Sequence, residues 1–226
     1  MLKVGLTGGM ASGKSVVGEM FVALGARLVQ ADRLAHELMH PGQPVYDEVV
    51  RRFGREILNA DGSVNRPKLA EIAFAASDGA QRGSRVDELN QIVHPAVIRS
   101  QEEWMHAVGI KDRRAVAIVE AALILEAGMA RRFDRLIVVS CTPEQRVARF
   151  AARQNIDLES AGKEVERRMA AQLPDSEKIK AADYVIDNSG TIENTRHQVE
   201  RVWEKLRSQA DASDSPSLDK SSFPVG

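Results

Sequence analysis

The chain has a single cysteine, Cys141, in 226 residues. An internal disulfide is therefore excluded. A lone thiol at the end of the apolar run "RLIVVSC" fits a cytosolic compartment. Long hydrophobic runs are missing too. None approaches the roughly 18 residues that a membrane-spanning helix requires, and glycines break the first apolar stretch too early for a secretory signal. Nor does either sign of charge dominate, since 31 Lys and Arg face 32 Asp and Glu, a net charge of −1. That balance excludes a basic nucleic-acid footprint over the whole chain, so any bound anion must be met by a local cluster of donors. There is no internal repeat. The remaining composition is that of an ordinary globular chain, 43% hydrophobic and 28% charged, and it can bury a sizeable core.

One short stretch cannot help to build that core. Residues 8–15 read "GGMASGKS" between an apolar strand-like run, "LKVGLT", and a helically spaced one, "SVVGEMFVAL". Gly8, Gly13, Lys14 and Ser15 fit the pattern GxxxxGK followed by Ser or Thr, the phosphate-binding loop of a strand–loop–helix unit. Glycines let the backbone curl so that several N–H groups converge on one phosphate. The helix that follows adds its positive end. Lys14 would reach the β- and γ-phosphates of ATP, and Ser15 would supply a hydroxyl to Mg²⁺.

The rest of the chain alternates. Gly25 ends the first helix, and "ARLVQAD" reads as a second strand closing on Asp32. From Arg33 to about Ile110 the pattern is almost wholly helical. It is broken at Pro41, Gly42 and Pro44, at the turn-rich 59–67 around Asp61-Gly62, and at His94-Pro95, where Pro95 suits a helix start. "RAVAIVEAALI" and "RLIVVS" read as strands covered on both faces. Thr142-Pro143-Glu144 opens an arginine-rich helix, a second charged helix follows, and "ADYVIDNSG" gives the fifth strand. Thr191 can cap the last helix. The expected fold class is α/β, a parallel sheet flanked by helices. The expected organisation is one kinase unit over 1–207, with its core in 1–32, 111–142 and 181–207. Residues 33–110 would form a helical insertion for the acceptor, 143–180 a lid, and 208–226 a disordered tail.

A phosphate loop names the donor, not the reaction. A switch GTPase would carry an NKxD, which is absent. "DNSG" at 187–190 fits DxxG but lies at the last strand. A motor ATPase would carry an acidic residue at the end of an apolar run, and Glu120 is the nearest candidate. A kinase needs a base for the acceptor and arginines that close over the phosphates. Asp32, at the carboxyl end of a strand, is the candidate base; the alternative is a helix cap. Arg149 and Arg153, spaced i and i+4, share one helix face, as a lid or as a solvated surface.

Together these segments resemble the dephospho-coenzyme A kinase family. The resemblance runs from Met1 to about Leu206. It rests on "LTGGMASGKS", "QADRLAHELMHPGQPVYDEVVRRFG", "DGSVNRPKLAEIAF", "ELNQIVHP", "RFAARQ", "RRMAAQ" and "KIKAADYVIDNSGT", in that order. It implies a P-loop kinase with a five-stranded parallel sheet, a helical acceptor region and a lid. It also implies that ATP phosphorylates the ribose 3′-hydroxyl of dephospho-CoA, giving CoA and ADP. Asp32 falls on the family's general base and Arg149 on its lid arginine, with Arg153 in the same motif. Gly8, Gly9, Ala11, Ser12, Gly13, Lys14, Ser15 and Val16 would hold the nucleotide, and Asn188 lies where the family's loop passes the adenine. His94 and His36 would line the acceptor cleft.

The chain departs from the family pattern at five places. Ala11 replaces a glycine, so the loop must keep φ negative there or accept strain. Val16 replaces a threonine hydroxyl. Gln30 replaces the first Asp of an Asp-Ala-Asp, Arg146 a glutamine, and Ala122 a proline. A kinase of another small acceptor, such as a nucleoside monophosphate, and a non-catalytic nucleotide switch remain alternatives.

Overall fold

The computed structural model describes residues 1–74 and 84–212. In chain order the elements begin β1 (Leu2–Thr7), α1 (Lys14–Ala23), β2 (Arg27–Gln30), α2 (Ala31–Leu38), α3 (Pro44–Phe53), α4 (Arg66–Phe74) and α5 (Ser84–Lys111). They continue β3 (Val116–Glu120), β4 (Arg135–Ser140), α6 (Pro143–Gln154), α7 (Leu158–Met169), α8 (Asp175–Lys180), β5 (Tyr184–Asp187) and α9 (Ile192–Ala212). Two compact units result: Met1–Leu28 with the chain from Met105 onward, and Val29–Trp104.

The first unit carries the sheet, a five-stranded parallel array in the order β2-β3-β1-β4-β5. The central strands are apolar on both faces because helices cover both. All of β3 is buried, and so is β1 apart from Lys3. Val4, Leu6, Ile118, Ile137 and Ile186 of the sheet pack with Val17 and Phe21 of α1 and with Val199, Val202 and Leu206 of α9. Each such side chain contributes roughly 1.5–3 kcal/mol by leaving water. Gly25 ends α1 as its sequence position indicates. Its φ is +109°, and Gly25 N donates to Val22 O at 2.9 Å while Ala26 N donates to Phe21 O at 3.0 Å. These paired bonds close the last turn and need a left-handed residue between them.

The second unit is helical. Val45, Val49, Phe53, Ile57, Leu69, Val93 and Val97 are buried. The Asp61-Gly62 turn is formed, with Gly62 at φ +81°, and Tyr46 Oη donates to Gly62 O at 2.7 Å. Arg52 and Glu88 join α3 to α5 as an ion pair. The arginine hydrogen bond holds the Glu88 carboxyl below its ordinary value.

Three sequence expectations are corrected. β2 stops at Gln30, and Asp32 lies in the first turn of α2 rather than at a strand end. Gln30 takes the N-cap position, so Asp32 is not the cap. The apolar residues Ala31, Leu34, Ala35 and Leu38 have helical spacing, which claims this stretch for the helix. Pro95 does not start a helix but lies inside α5. Its ring removes one backbone donor, and the burial of Val93, Ala96 and Val97 around it offsets that loss. Finally, α9 runs through Ala212, past the expected tail onset at 208, because Ala210 is fully buried in the main core. Residues 75–83 of the expected helical stretch and the tail from 213 lie outside the described residues.

Candidate nucleotide site

Strand β1 delivers the chain into the glycine loop, and α1 begins at Lys14. Gly8 and Gly13 have φ of +149° and +95°. A Cβ at Gly8 would stand 2.3 Å from Val139 O, and one at Gly13 would stand 2.1 Å from Asn188 Nδ2. Both positions therefore demand glycine by backbone angle and by space. Ala11 has φ +54°. The loop thus accepts strain at the one position where this chain spends an alanine, a cost on the order of 1 kcal/mol or more. Its neighbours hold it there: Met10 and Ala11 pack on the small core of the α6–α7 hairpin, formed by Phe150, Ala151, Ala161 and Val165.

Lys14 Nζ donates to Gly8 O at 2.9 Å and to Gly9 O at 3.0 Å. The ammonium is thus folded back over its own loop. Ser12 is fully buried, and its Oγ has no hydrogen-bond partner among the described residues. The first turn of α1 has no acidic side chain of its own and no side-chain cap, which leaves its backbone N–H groups available as donors. An ammonium, an unsatisfied hydroxyl and an uncapped helix N-terminus converge on one loop. That donor set fits phosphate oxygens.

Ser15 Oγ donates to Glu120 Oε1 at 2.8 Å. Glu120 is buried at the carboxyl end of β3. The sequence singles this residue out only as the nearest candidate acid of a motor ATPase, yet it is the carboxylate attached to the loop serine. The signal was its position at the end of a wholly apolar strand. Only the sheet order makes it decisive, because β3 pairs with β1 and sets Glu120 opposite Leu6. Among the described residues no cluster of three or more His, Cys, Asp or Glu side chains could hold a metal. A hydroxyl and one carboxylate fit a Mg²⁺ that takes its other ligands from phosphates and water.

Arg149 and Arg153 come from α6. Thr142 and Gln145 form a reciprocal capping box at its start, the hydroxyl accepting from Gln145 N at 3.3 Å. Arg149 Nη2 donates to Asn188 O at 2.8 Å and Nη1 to Ser12 O at 3.3 Å. Arg153 is exposed and lies over the Phe150 ring, 5.7 Å from its centre. The two arginines of the i, i+4 pair are therefore differently employed: one touches the loop and the other lies on its own helix. Asn188 is buried and fully engaged. Its Nδ2 donates to Ser12 O at 2.8 Å, and its Oδ1 accepts from Thr195 Oγ1 at 2.9 Å. Cys141 follows β4, with its thiol 3.9 Å from Ala11 O. Burial pushes that thiol's pKa up, against the opposing pull of Arg146 and Arg149. In α7, hydrogen bonds from Arg167 and Arg168 hold Glu164 at about 2.

Sequence reasoning also passed over Lys178. It is fully buried, and its Nζ meets Glu126 at 2.8 Å and Gln172 Oε1 at 3.1 Å. The pair ties the α7–α8 turn to the loop after β3.

The structure thus brings Gly8, Gly9, Ala11, Ser12, Gly13, Lys14, Ser15, Arg149 and Asn188 into one cluster. Val16 is exposed on α1. Asp32 and His36 on α2, and His94 on α5, are exposed side chains of the helical unit. His36 meets His40 edge-on at 4.9 Å.

A glycine cradle between β1 and α1, on a parallel sheet with an arginine-bearing helical hairpin above it, defines a P-loop kinase fold. The family model described as dephospho-CoA kinase matches residues 2–194. Dephospho-CoA kinase of Corynebacterium efficiens is 38% identical over 202 residues, covering 89% of this chain and 96% of that one. The Aquifex aeolicus enzyme is 39% identical over 206 residues, covering 91% and 98%. A solved Thermus thermophilus structure superposes with a TM-score of 0.72 at 28% identity, covering 91% of this chain and 97% of that one. The chain belongs to the dephospho-CoA kinase family.

Proposed function

We propose that this protein transfers the γ-phosphoryl group of ATP to the ribose 3′-hydroxyl of dephospho-CoA, giving CoA and ADP in the last step of coenzyme A biosynthesis. The observation that carries the reading is the cradle itself, with Lys14, the uncapped α1 terminus and the Ser15–Glu120 pair around one loop. Its place in a chain matched to the family over 2–194 supplies the acceptor.

Within this reading Lys14 exchanges the Gly8 and Gly9 carbonyls for phosphate oxygens. It spreads its charge over the group in transit. Backbone N–H groups of the loop and of the start of α1 bind the same oxygens. Ser15 and Glu120 would hold Mg²⁺, which neutralises phosphate charge when bound. Arg149, already seated on the Ser12 carbonyl, adds a second cation from the lid, and Arg153 stands one turn further on. Asp32 orients the 3′-hydroxyl and accepts its proton. His36 and His94 line the acceptor region. Asn188 shapes the loop through Ser12 and borders the adenine. No described helix is long and apolar enough to cross a membrane, and the reaction is assigned to the cytoplasm.

The test is ADP release from Mg-ATP with a panel of acceptors. Release that depends on dephospho-CoA is expected. Release driven by a nucleoside monophosphate instead would make this a different small-acceptor kinase. Release without acceptor dependence would make it a nucleotide-binding protein of another kind.

A further inference from the structure

Arg146 lies between the lid and the cradle, and the mechanism above gives it no part. It is 4% exposed, so its charge must be answered locally. One nitrogen, Nη1, donates to Met10 O at 2.8 Å and lies 3.1 Å from Met169 Sδ. The other, Nη2, pairs with Asp175, whose side chain is 30% exposed. From α6 this one side chain reaches the phosphate loop, the end of α7 and the start of α8.

Gly9 gives independent evidence that loop and guanidinium are matched. Unlike Gly8 and Gly13, it is not in the left-handed region, so backbone angle does not require glycine there. Space does: a Cβ would stand 1.9 Å from Nη1 and 2.8 Å from Cζ of Arg146. A guanidinium held by Met10 O and Asp175 cannot move aside cheaply.

We infer that Arg146 is a positioning residue for the nucleotide cradle, which it acts on by holding the Met10 carbonyl toward the lid. A peptide group is planar and trans, so its C=O and N–H point in opposite directions. Fixing Met10 O toward α6 therefore fixes the Ala11 N–H away from it. Arg149 and Asn188 do the same one peptide later but one, since both hold Ser12 O and so set the direction of the Gly13 N–H. Arg146 thus keeps a donor aimed in a segment that the left-handed Ala11 would otherwise leave prone to relax. The inference rests on the reading of this loop as the ATP site.

The experiment compares two ways of breaking the same ion pair. Arg146→Met removes every donor and releases the Met10 carbonyl, whereas Asp175→Asn leaves the guanidinium on it. Calorimetric titration with Mg-ATP is expected to show about tenfold weaker binding for Arg146→Met, the scale of one lost charge-assisted hydrogen bond. The KM for dephospho-CoA should stay within twofold. Asp175→Asn should keep ATP affinity within twofold despite a lower Tm, and Arg146→Lys should recover part of the loss. If Arg146→Met does not fold, the double variant Arg146→Met/Asp175→Asn leaves no unpaired charge and carries the same expectation. Equal losses in Arg146→Met and Asp175→Asn, or ATP affinity unchanged in Arg146→Met, would reduce Arg146 to a structural tie and overturn the inference. Failure of the wild-type protein to bind Mg-ATP would instead sink the reading of the site.

Discussion

Ala11 and Asp32 show what single residues disclose and withhold. An alanine in a glycine's place announces a conformational question, and the structure answers it with φ +54°. The strain is sustained by packing from the α6–α7 hairpin, which no local pattern reveals. Glu120 was harder to read. Its partner Ser15 is 105 positions away, and only the pairing of β3 with β1 joins them. Asp32 was singled out as a carboxylate at the end of a strand, and it lies instead in the first turn of α2. The base assigned to it is tested by Asp32→Asn. General-base catalysis contributes about 10²–10⁴-fold, so kcat should fall by that order while Mg-ATP affinity is retained. A kcat within a few-fold of wild type would remove Asp32 from the mechanism.

At the scale of elements, strands and helix starts were the most legible features. The continuous apolar runs became β3 and β4 because both faces of those strands are covered. Thr142-Pro143-Glu144 became the start of α6, since Thr caps and Pro suits the first turn. Helix extents were less legible because tertiary burial overrides local breakers. Pro95 is carried inside α5, and Ala210 draws α9 onward to Ala212. The capping box gives an element-scale prediction. Thr142→Ala should cost about 1 kcal/mol, and a thermal melt should show Tm lowered by about 2–4 °C. An unchanged Tm would mean that lid packing alone sets the start of α6.

For the whole molecule, the alternation of strands and helices was enough to expect a parallel α/β sheet, and the five strands are ordered β2-β3-β1-β4-β5. The division into two compact units leaves no mark in the sequence. Its borders fall inside β2 and inside α5, where no proline, glycine or polar linker marks a boundary. The donor-side residues belong to the sheet-bearing unit, and Asp32, His36 and His94 belong to the helical one. The proposed reaction is a transfer from ATP to one specific hydroxyl. Phosphorus NMR of the product formed from Mg-ATP and dephospho-CoA tests it most directly. A new phosphomonoester on the ribose 3′-oxygen is expected, formed in step with ADP. ADP without that resonance, or phosphate on any other oxygen, would contradict it.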